Sequence, residues 1–232
     1  MNAGSTIVAK PVNGKQPVKH MKRTIIGLVS TVVLGLAPHS YGITVTFDDI
    51  TLTQPWVSGM NWDAMPASYG GLTWQTGPVS RWELIQVNST FRNYYQTTLT
   101  TPSGDQAAYN GGTDGSWATS LGVTGGAEFT FDGAYFAYWH GAAPGSAGTM
   151  YADGYLNNVL VGTVSLALTD DQLFHWMNGT SLGQIDKVVI RDGVNKPWLM
   201  DNFTYHTPDG GMTAMLLGMG MLGLGYVRRM VK

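Results

Sequence analysis

The chain has 232 residues, no cysteine, 12% charged side chains and a formal net charge of −2. Without cysteine there is no disulfide or thiolate–metal framework, so stability has to come from core packing, with or without a bound ion. The charge is unevenly divided: residues 43–206 hold five basic side chains against fourteen acidic ones, a net of −9, which gives nucleic acid no electrostatic footprint and argues against a DNA or RNA partner.

In chain order, residues 1–42 read as a signal region. Residues 1–20 carry Lys10, Lys15 and Lys19 with no apolar periodicity. Met21 then opens a more ordinary start, with Lys22-Arg23 as a charged segment, residues 25–36 as an apolar segment and Ser40-Tyr41-Gly42 as a small-x-small cleavage signal. The apolar segment is too short for a comfortable membrane span, which favours a cleaved signal peptide over 21–42. Met21 therefore reads as the initiator and residues 1–20 as a gene-start artefact; a long charged segment is the alternative.

Residues 43–206 read as one all-β domain. Gly, Thr, Asn, Tyr and Trp dominate, no ten-residue window shows a helical apolar stripe, and short alternating runs recur between Gly, Asn and Asp clusters. The expected strands are 43–47, 71–74, 82–87, 127–131, 134–139, 149–156, 159–168, 187–191 and 198–205. Asp132-Gly133 and Asn157-Asn158 read as tight turns joining neighbouring strands. This pattern predicts a two-sheet antiparallel jelly-roll-like sandwich. No repeat at a propeller or solenoid period is visible.

The tail, 207–232, begins Thr207-Pro208-Asp209-Gly210-Gly211-Met212-Thr213, continues as an uncharged apolar run over 212–227, and ends with Arg228, Arg229 and Lys232. As a helix rising about 1.5 Å per residue that run reaches roughly 24 Å, a marginal span of a hydrocarbon core of about 30 Å. The basic residues fall on the cytoplasmic side by the positive-inside bias, with everything upstream outside. The motif, apolar helix and arginine cluster at the chain end resemble the PEP-CTERM class of sorting signals, in the variant reading Val-Pro-Asp-Ser-Gly, with Thr207 and Gly210 as departures. The resemblance carries Pro208, Asp209, Gly210, Gly211, Thr213, Arg228 and Arg229 as the sorting motif. It implies export, insertion in the inner membrane, an exosortase-type processing enzyme as partner, and a final place in the cell envelope or extracellular matrix.

Within the domain, Phe47-Asp48-Asp49, Tyr69-Gly70-Gly71-Leu72-Thr73-Trp74 and Leu199-Met200-Asp201-Asn202-Phe203 resemble the sandwich ectodomains of PEP-CTERM proteins, which are similar to galactose-binding-like carbohydrate-binding modules. Pairing of first and last strands brings Asp48 or Asp49 towards Asp201. Carboxylates so placed raise each other's pKa or hold a hard cation, so a structural Ca²⁺ on Asp48, Asp49 and Asp201 is one reading and a strand end with a turn is the other. All eight Trp lie in the domain, and the segment 56–69 offers Trp56, Trp62 and Tyr69 as rings on which the apolar faces of a sugar could stack; packing beneath a long loop is the alternative. Trp74, Trp139 and Trp198 sit in alternating runs and read as core. Glu83 and Glu128 are the only glutamates, no histidine pair has metal-binding spacing, and no nucleophile elbow or phosphate loop occurs, so the domain reads as non-enzymatic. The expected function is an exported envelope or matrix protein associated with polysaccharide; a purely structural surface protein and a polysaccharide-active enzyme are the alternatives.

Overall fold

The computed structural model describes residues 42–77, 79–112, 117–139 and 148–208, together with Gly218, Gly220, Met221, Gly223 and Arg228 of the tail. The signal region up to residue 41 and most of the apolar run 212–227 lie outside the described residues, as do Asp209, Gly210, Gly211, Thr213 and Arg229 of the sorting motif. Among the described residues no helix is long and apolar enough to cross a membrane. One compact unit covers Ser40–Asp209.

That unit is all-β and every strand pairing in it is antiparallel. The strands are β1 Ile43–Val45, β2 Gln54–Val57, β3 Met60–Ala64, β4 Ser68–Tyr69, β5 Leu72–Trp74, β6 Arg81–Gln86, β7 Gln106–Gly111, β8 Ser120–Tyr138, β9 Gly148–Leu156, β10 Val159–Leu168, β11 His175–Asn178, β12 Gln184–Asp192 and β13 Trp198–His206. A short α-helix, α1 Ser89–Tyr95, follows β6. Asn88 caps it, accepting from the Phe91 N–H at 3.1 Å, and Gln96 ends it in the left-handed region at φ 52°.

The long β8 belongs to two layers. Its first half pairs with β12 on one side and β5 on the other, and β12 continues to β9 and β10. Its second half pairs with β13 and β11, and β13 continues through β7, β6 and β3 to β2. The expected hairpin at Asp132-Gly133 therefore does not form. Gly133 instead takes φ 152° inside β8, where a Cβ would overlap the Met177 carbonyl oxygen and the Trp176 ring, and lets the strand bend from one layer into the other. The hairpin at Asn157-Asn158 does form, with φ 52° and 64° and Leu156 opposite Val159.

Alternation decides what each strand buries. Trp82 and Leu84 of β6, Ala108 of β7, Phe136 of β8 and Trp198 and Met200 of β13 point into the space between the layers, where they meet Trp74, Val123, Met150, Val188 and Ile190. Trp74, Trp82 and Trp198 stack edge to face in a row, with centroids 5.4 and 5.3 Å apart. The intervening residues Ile85, Ala107, Tyr109, Ala137 and Leu199 face the other way and build a second apolar cluster with Met60, Phe91, Leu99 and Trp139. The outer face of the β13–β7–β6–β3 layer thus has a core of its own, with α1 packed on it through Phe91. The strands β2, β3, β4, β7 and β11, and the first seven residues of β8, fall where loops were expected. Their runs are short or rich in Gly, Asn and Gln, and the sheet supplies the pairing that composition does not signal.

Candidate functional site

Trp56 and Trp62 lie on β2 and β3, with centroids 6.2 Å apart and planes at 89°. Trp56 is 38% exposed and Trp62 half-buried. The Trp56 indole N–H is bonded to the Tyr95 hydroxyl, and its ring lies 6.1 Å from that of the buried Trp139. Trp139 is the hub: Phe91, Tyr95, Tyr109 and Trp117 all pack on it, at centroid distances of 5.4, 5.1, 5.2 and 5.7 Å. Burial, with a smaller contribution from Tyr94, pushes the Tyr95 hydroxyl up to about 12, against the opposing bond from Trp56, so it stays protonated at neutral pH.

Beside these rings runs a polar strip. Glu83 on β6 is only 4% exposed. Its Oε1 accepts from Arg81 Nε at 2.7 Å and Nη2 at 2.5 Å, and its Oε2 accepts from the Tyr109 hydroxyl on β7. Burial first, and then the Glu83 charge and hydrogen bond, push the Tyr109 hydroxyl far above its ordinary value, so it remains a donor. The Arg81 guanidinium lies 5.9 Å from the Trp62 ring centre. Gly111 lies opposite Arg81 across β6 and β7, and a Cβ there would occupy the place of the Glu83 carboxyl group. The absence of that one carbon lets a carboxylate lie flat on the sheet between two donors.

Of the three rings offered as a sugar platform, Trp56 and Trp62 lie side by side. Tyr69 goes elsewhere: it lies on β4, packs on Phe47 at 6.1 Å and donates its hydroxyl to Asp49. The expected loop over 56–69 is a β2–β3 hairpin followed by β4. Arg81, Glu83, Tyr109 and Trp117 were not expected at the site. The run Arg81-Trp82-Glu83-Leu84-Ile85 contains the signal, since alternation sends Glu83 to the face opposite Trp82 and Leu84.

The acidic residues fall at a different place. β1 pairs with β13, with Ile43 opposite Tyr205, as expected of first and last strands. Phe47 then takes φ 69°, burying its ring and turning the chain so that Asp48 meets the segment after Thr101. Asp48 Oδ1 accepts from the N–H groups of Asp105 and Gln106 at 3.1 and 3.2 Å, lying against Gly104, which has φ 39°. Asp201, fully buried beside the bulge where Asn202 has φ 52°, accepts from Ser103 N–H at 2.9 Å and Asn202 N–H at 2.7 Å, and from the Ser103 hydroxyl. Burial pushes the Asp201 carboxyl up to about 7; the bonds from Ser103 and Asn202 pull it down and the charge of Asp48 raises it further. Asp48 and Asp201 thus share one loop, whereas Asp49 is bonded to Tyr69. Among the described residues no group of three or more His, Asp or Glu side chains is arranged to hold a metal. A cation here would rest on these two carboxylates with amide, hydroxyl and carbonyl oxygens. Gln106 and Asn202, whose N–H groups make two of these contacts, each have a buried side-chain oxygen without a hydrogen-bond partner, and hard oxygens of this kind suit calcium.

Two histidines pair with aspartates, His175 with Asp171 at 2.8 Å and His206 with Asp132 at 2.9 Å, both partly exposed; His140 lies outside the described residues.

No family model matches the chain, and no curated protein matches it. Solved structures do. A DUF4465 family protein from Bacteroides caccae is similar at 13% identity and a TM-score of 0.45, covering 71% of this chain and 98% of that one. The Stig cyclase Fisc from Fischerella sp. TAU is similar at 13% identity and a TM-score of 0.37, covering 72% and 98%. The CBM22-1 and GH10 modules of a Clostridium thermocellum xylanase, complexed with xylohexaose, are similar at 10% identity and a TM-score of 0.30, covering 74% of this chain and 29% of that one.

Proposed function

We propose that this chain is an exported protein of the cell envelope or extracellular matrix, sorted by its C-terminal signal, whose sandwich associates with polysaccharide along the face bearing Trp56 and Trp62. The observation that carries the reading is the fixed step made by these two indoles, one of them exposed, on the rim of an aromatic cluster and beside the Arg81–Glu83–Tyr109 strip. Indole faces offer flat apolar area to the C–H face of a sugar, while the partly exposed Arg81 guanidinium nearby suits its hydroxyls. Locking of Trp56 by Tyr95 and Trp139 lowers the ordering cost of binding. The same reading takes the tail as substrate of an exosortase-type enzyme and as an inner-membrane anchor during sorting, and takes Ca²⁺ on Asp48 and Asp201 as a structural ion.

The test is binding of Ser40–Asp209, which contains both apolar clusters entire, to a panel of bacterial and plant polysaccharides with calcium present. Saturable binding that weakens at least tenfold in Trp56→Ala and in Trp62→Ala is the expected result. A folded protein that binds none of the panel refutes the carbohydrate reading and leaves a structural surface protein.

A further inference from the structure

The sandwich has several strand edges, and they are not treated alike. β2 is four residues long, contains Pro55 and is irregular between Pro55 and Val57; β1 has three residues, β4 two and β11 four. Short length, proline and irregularity are the means by which sheets keep an edge from pairing with another chain. β10 is different. It runs ten residues, Val159–Leu168, reads Val-Leu-Val-Gly-Thr-Val-Ser-Leu-Ala-Leu, and contains neither a charge nor a proline. Its inner edge pairs with β9 throughout, and among the described residues nothing pairs with its outer edge. A single irregularity between Leu160 and Gly162 leaves Gly162–Leu168 in regular register opposite β9.

We infer that β10 is a self-association edge, on which β10 of a second copy of this chain pairs antiparallel so that one sheet runs through both molecules. The occupant follows from charge. With a net of −9 over residues 43–206, two copies repel wherever charged surfaces meet. A two-fold antiparallel pair sets each residue of the strand opposite another residue of the same strand, so a charge-free strand pairs with itself without setting like charges opposite one another. One strand further in, the only charge on β9 is Asp153, which is paired with Arg191 at 2.6 Å and accepts a hydrogen bond from the Thr163 hydroxyl at 2.7 Å. Apolar surface flanks the edge: Val159, Leu160 and Val161 are exposed, and on the neighbouring β11 and its lead-in so are Trp176 and Leu173. Main-chain hydrogen bonds supply the pairing and these side chains the buried area.

The absence of cysteine makes the test direct. Thr163, Ser165 and Ala167 all project outward from β10, and each is replaced singly by Cys in the full-length protein; Asn93→Cys on α1, equally exposed, is the control. Mild oxidation is expected to give disulfide-linked dimer at one of the three β10 positions, the one nearest the two-fold, at least tenfold above the control. Adding Lys at whichever of Ser165 and Ala167 does not carry the cysteine, both of which face solvent, is expected to abolish that dimer. Cross-linking no better than Asn93→Cys at all three positions overturns the inference. So does a dimer that persists undiminished with lysine present at these positions.

Discussion

Replacing Glu83 by Ala probes the strip beside the indoles most sharply. The carboxylate is 4% exposed and is the hydrogen-bond partner of both Arg81 and Tyr109. Its removal forfeits a charge-assisted interaction with Arg81, about 1.5–3 kcal/mol, and leaves the buried Tyr109 hydroxyl without its acceptor, about 1–3 kcal/mol. The Arg81 side chain is 23% exposed and can turn partly to water, so the first figure is discounted and the sum is about 3 kcal/mol. Urea unfolding of Ser40–Asp209 with linear extrapolation reads that loss. The decisive comparison is the double variant. Glu83→Ala with Tyr109→Phe deletes the orphaned hydroxyl, so it is expected to be about 1 kcal/mol more stable than Glu83→Ala alone, although Tyr109→Phe by itself destabilises the protein. A Glu83→Ala loss under about 1 kcal/mol, or a double variant that loses the full cost of both changes, refutes the assignment of Glu83 as the shared acceptor.

Trp139→Ala removes the hub on which five rings pack and is expected to cost about 3–5 kcal/mol in the same assay, with loss of near-ultraviolet circular dichroism from the cluster. Gly104→Ala is expected to cost well over 1 kcal/mol, because the position has φ 39° and the new Cβ overlaps the Asp48 carboxylate; a neutral result would mean that this loop moves freely from Asp48. EGTA is expected to lower the melting temperature of Ser40–Asp209, and an unchanged temperature removes calcium from the account of Asp48 and Asp201. Asp153 is pushed up by burial but held below its ordinary value overall by bonds from Arg191 and Thr163. Its contribution is therefore present above the unfolded carboxylate pKa of about 3.9 and lost as pH falls through the lower folded value, so Asp153→Asn should flatten the acid limb of a stability–pH curve.

The all-β class was legible from alternation, and so was burial of Trp74, Trp139 and Trp198, because an indole within an alternating run has one face to choose. The pairing of β1 with β13 and the meeting of Asp48 with Asp201 near Ser103 followed from their places at the two ends of the domain. The turn at Asp132-Gly133 was misread because Asp-Gly favours a positive φ wherever a strand needs one, and a bend within β8 uses it as readily as a hairpin does. Tyr69 was grouped with Trp56 and Trp62 by closeness in sequence. β3 and β4 leave that segment for different layers, so thirteen residues of separation from Trp56 carried no spatial meaning. Tyr109 lay hidden in a run of Gln, Ala, Asn and Gly with no strand signature of its own.

The placing of Arg81 and Glu83 bears on what the outer face is for. The space between the layers is packed almost wholly with apolar side chains, and a domain that needed only stability would fill the second cluster likewise. Exchange of a buried ion pair for apolar residues of similar volume is often neutral or stabilising by about 1–4 kcal/mol, so this pair is weak evidence for stability. What it does supply is direction. Arg81 is held beside Trp62, Tyr109 is fixed as a donor beside Trp139, and Gly111 leaves room for the carboxylate that orders both. A guanidinium held in a fixed place beside Trp62 and the exposed Trp56 is what recognition of a hydroxyl-rich ligand requires and what packing alone does not. If binding to polysaccharide falls in Glu83→Gln, which keeps the volume and one acceptor but loses the charge, while the protein stays fully folded at the assay temperature, the strip serves the ligand as well as the fold.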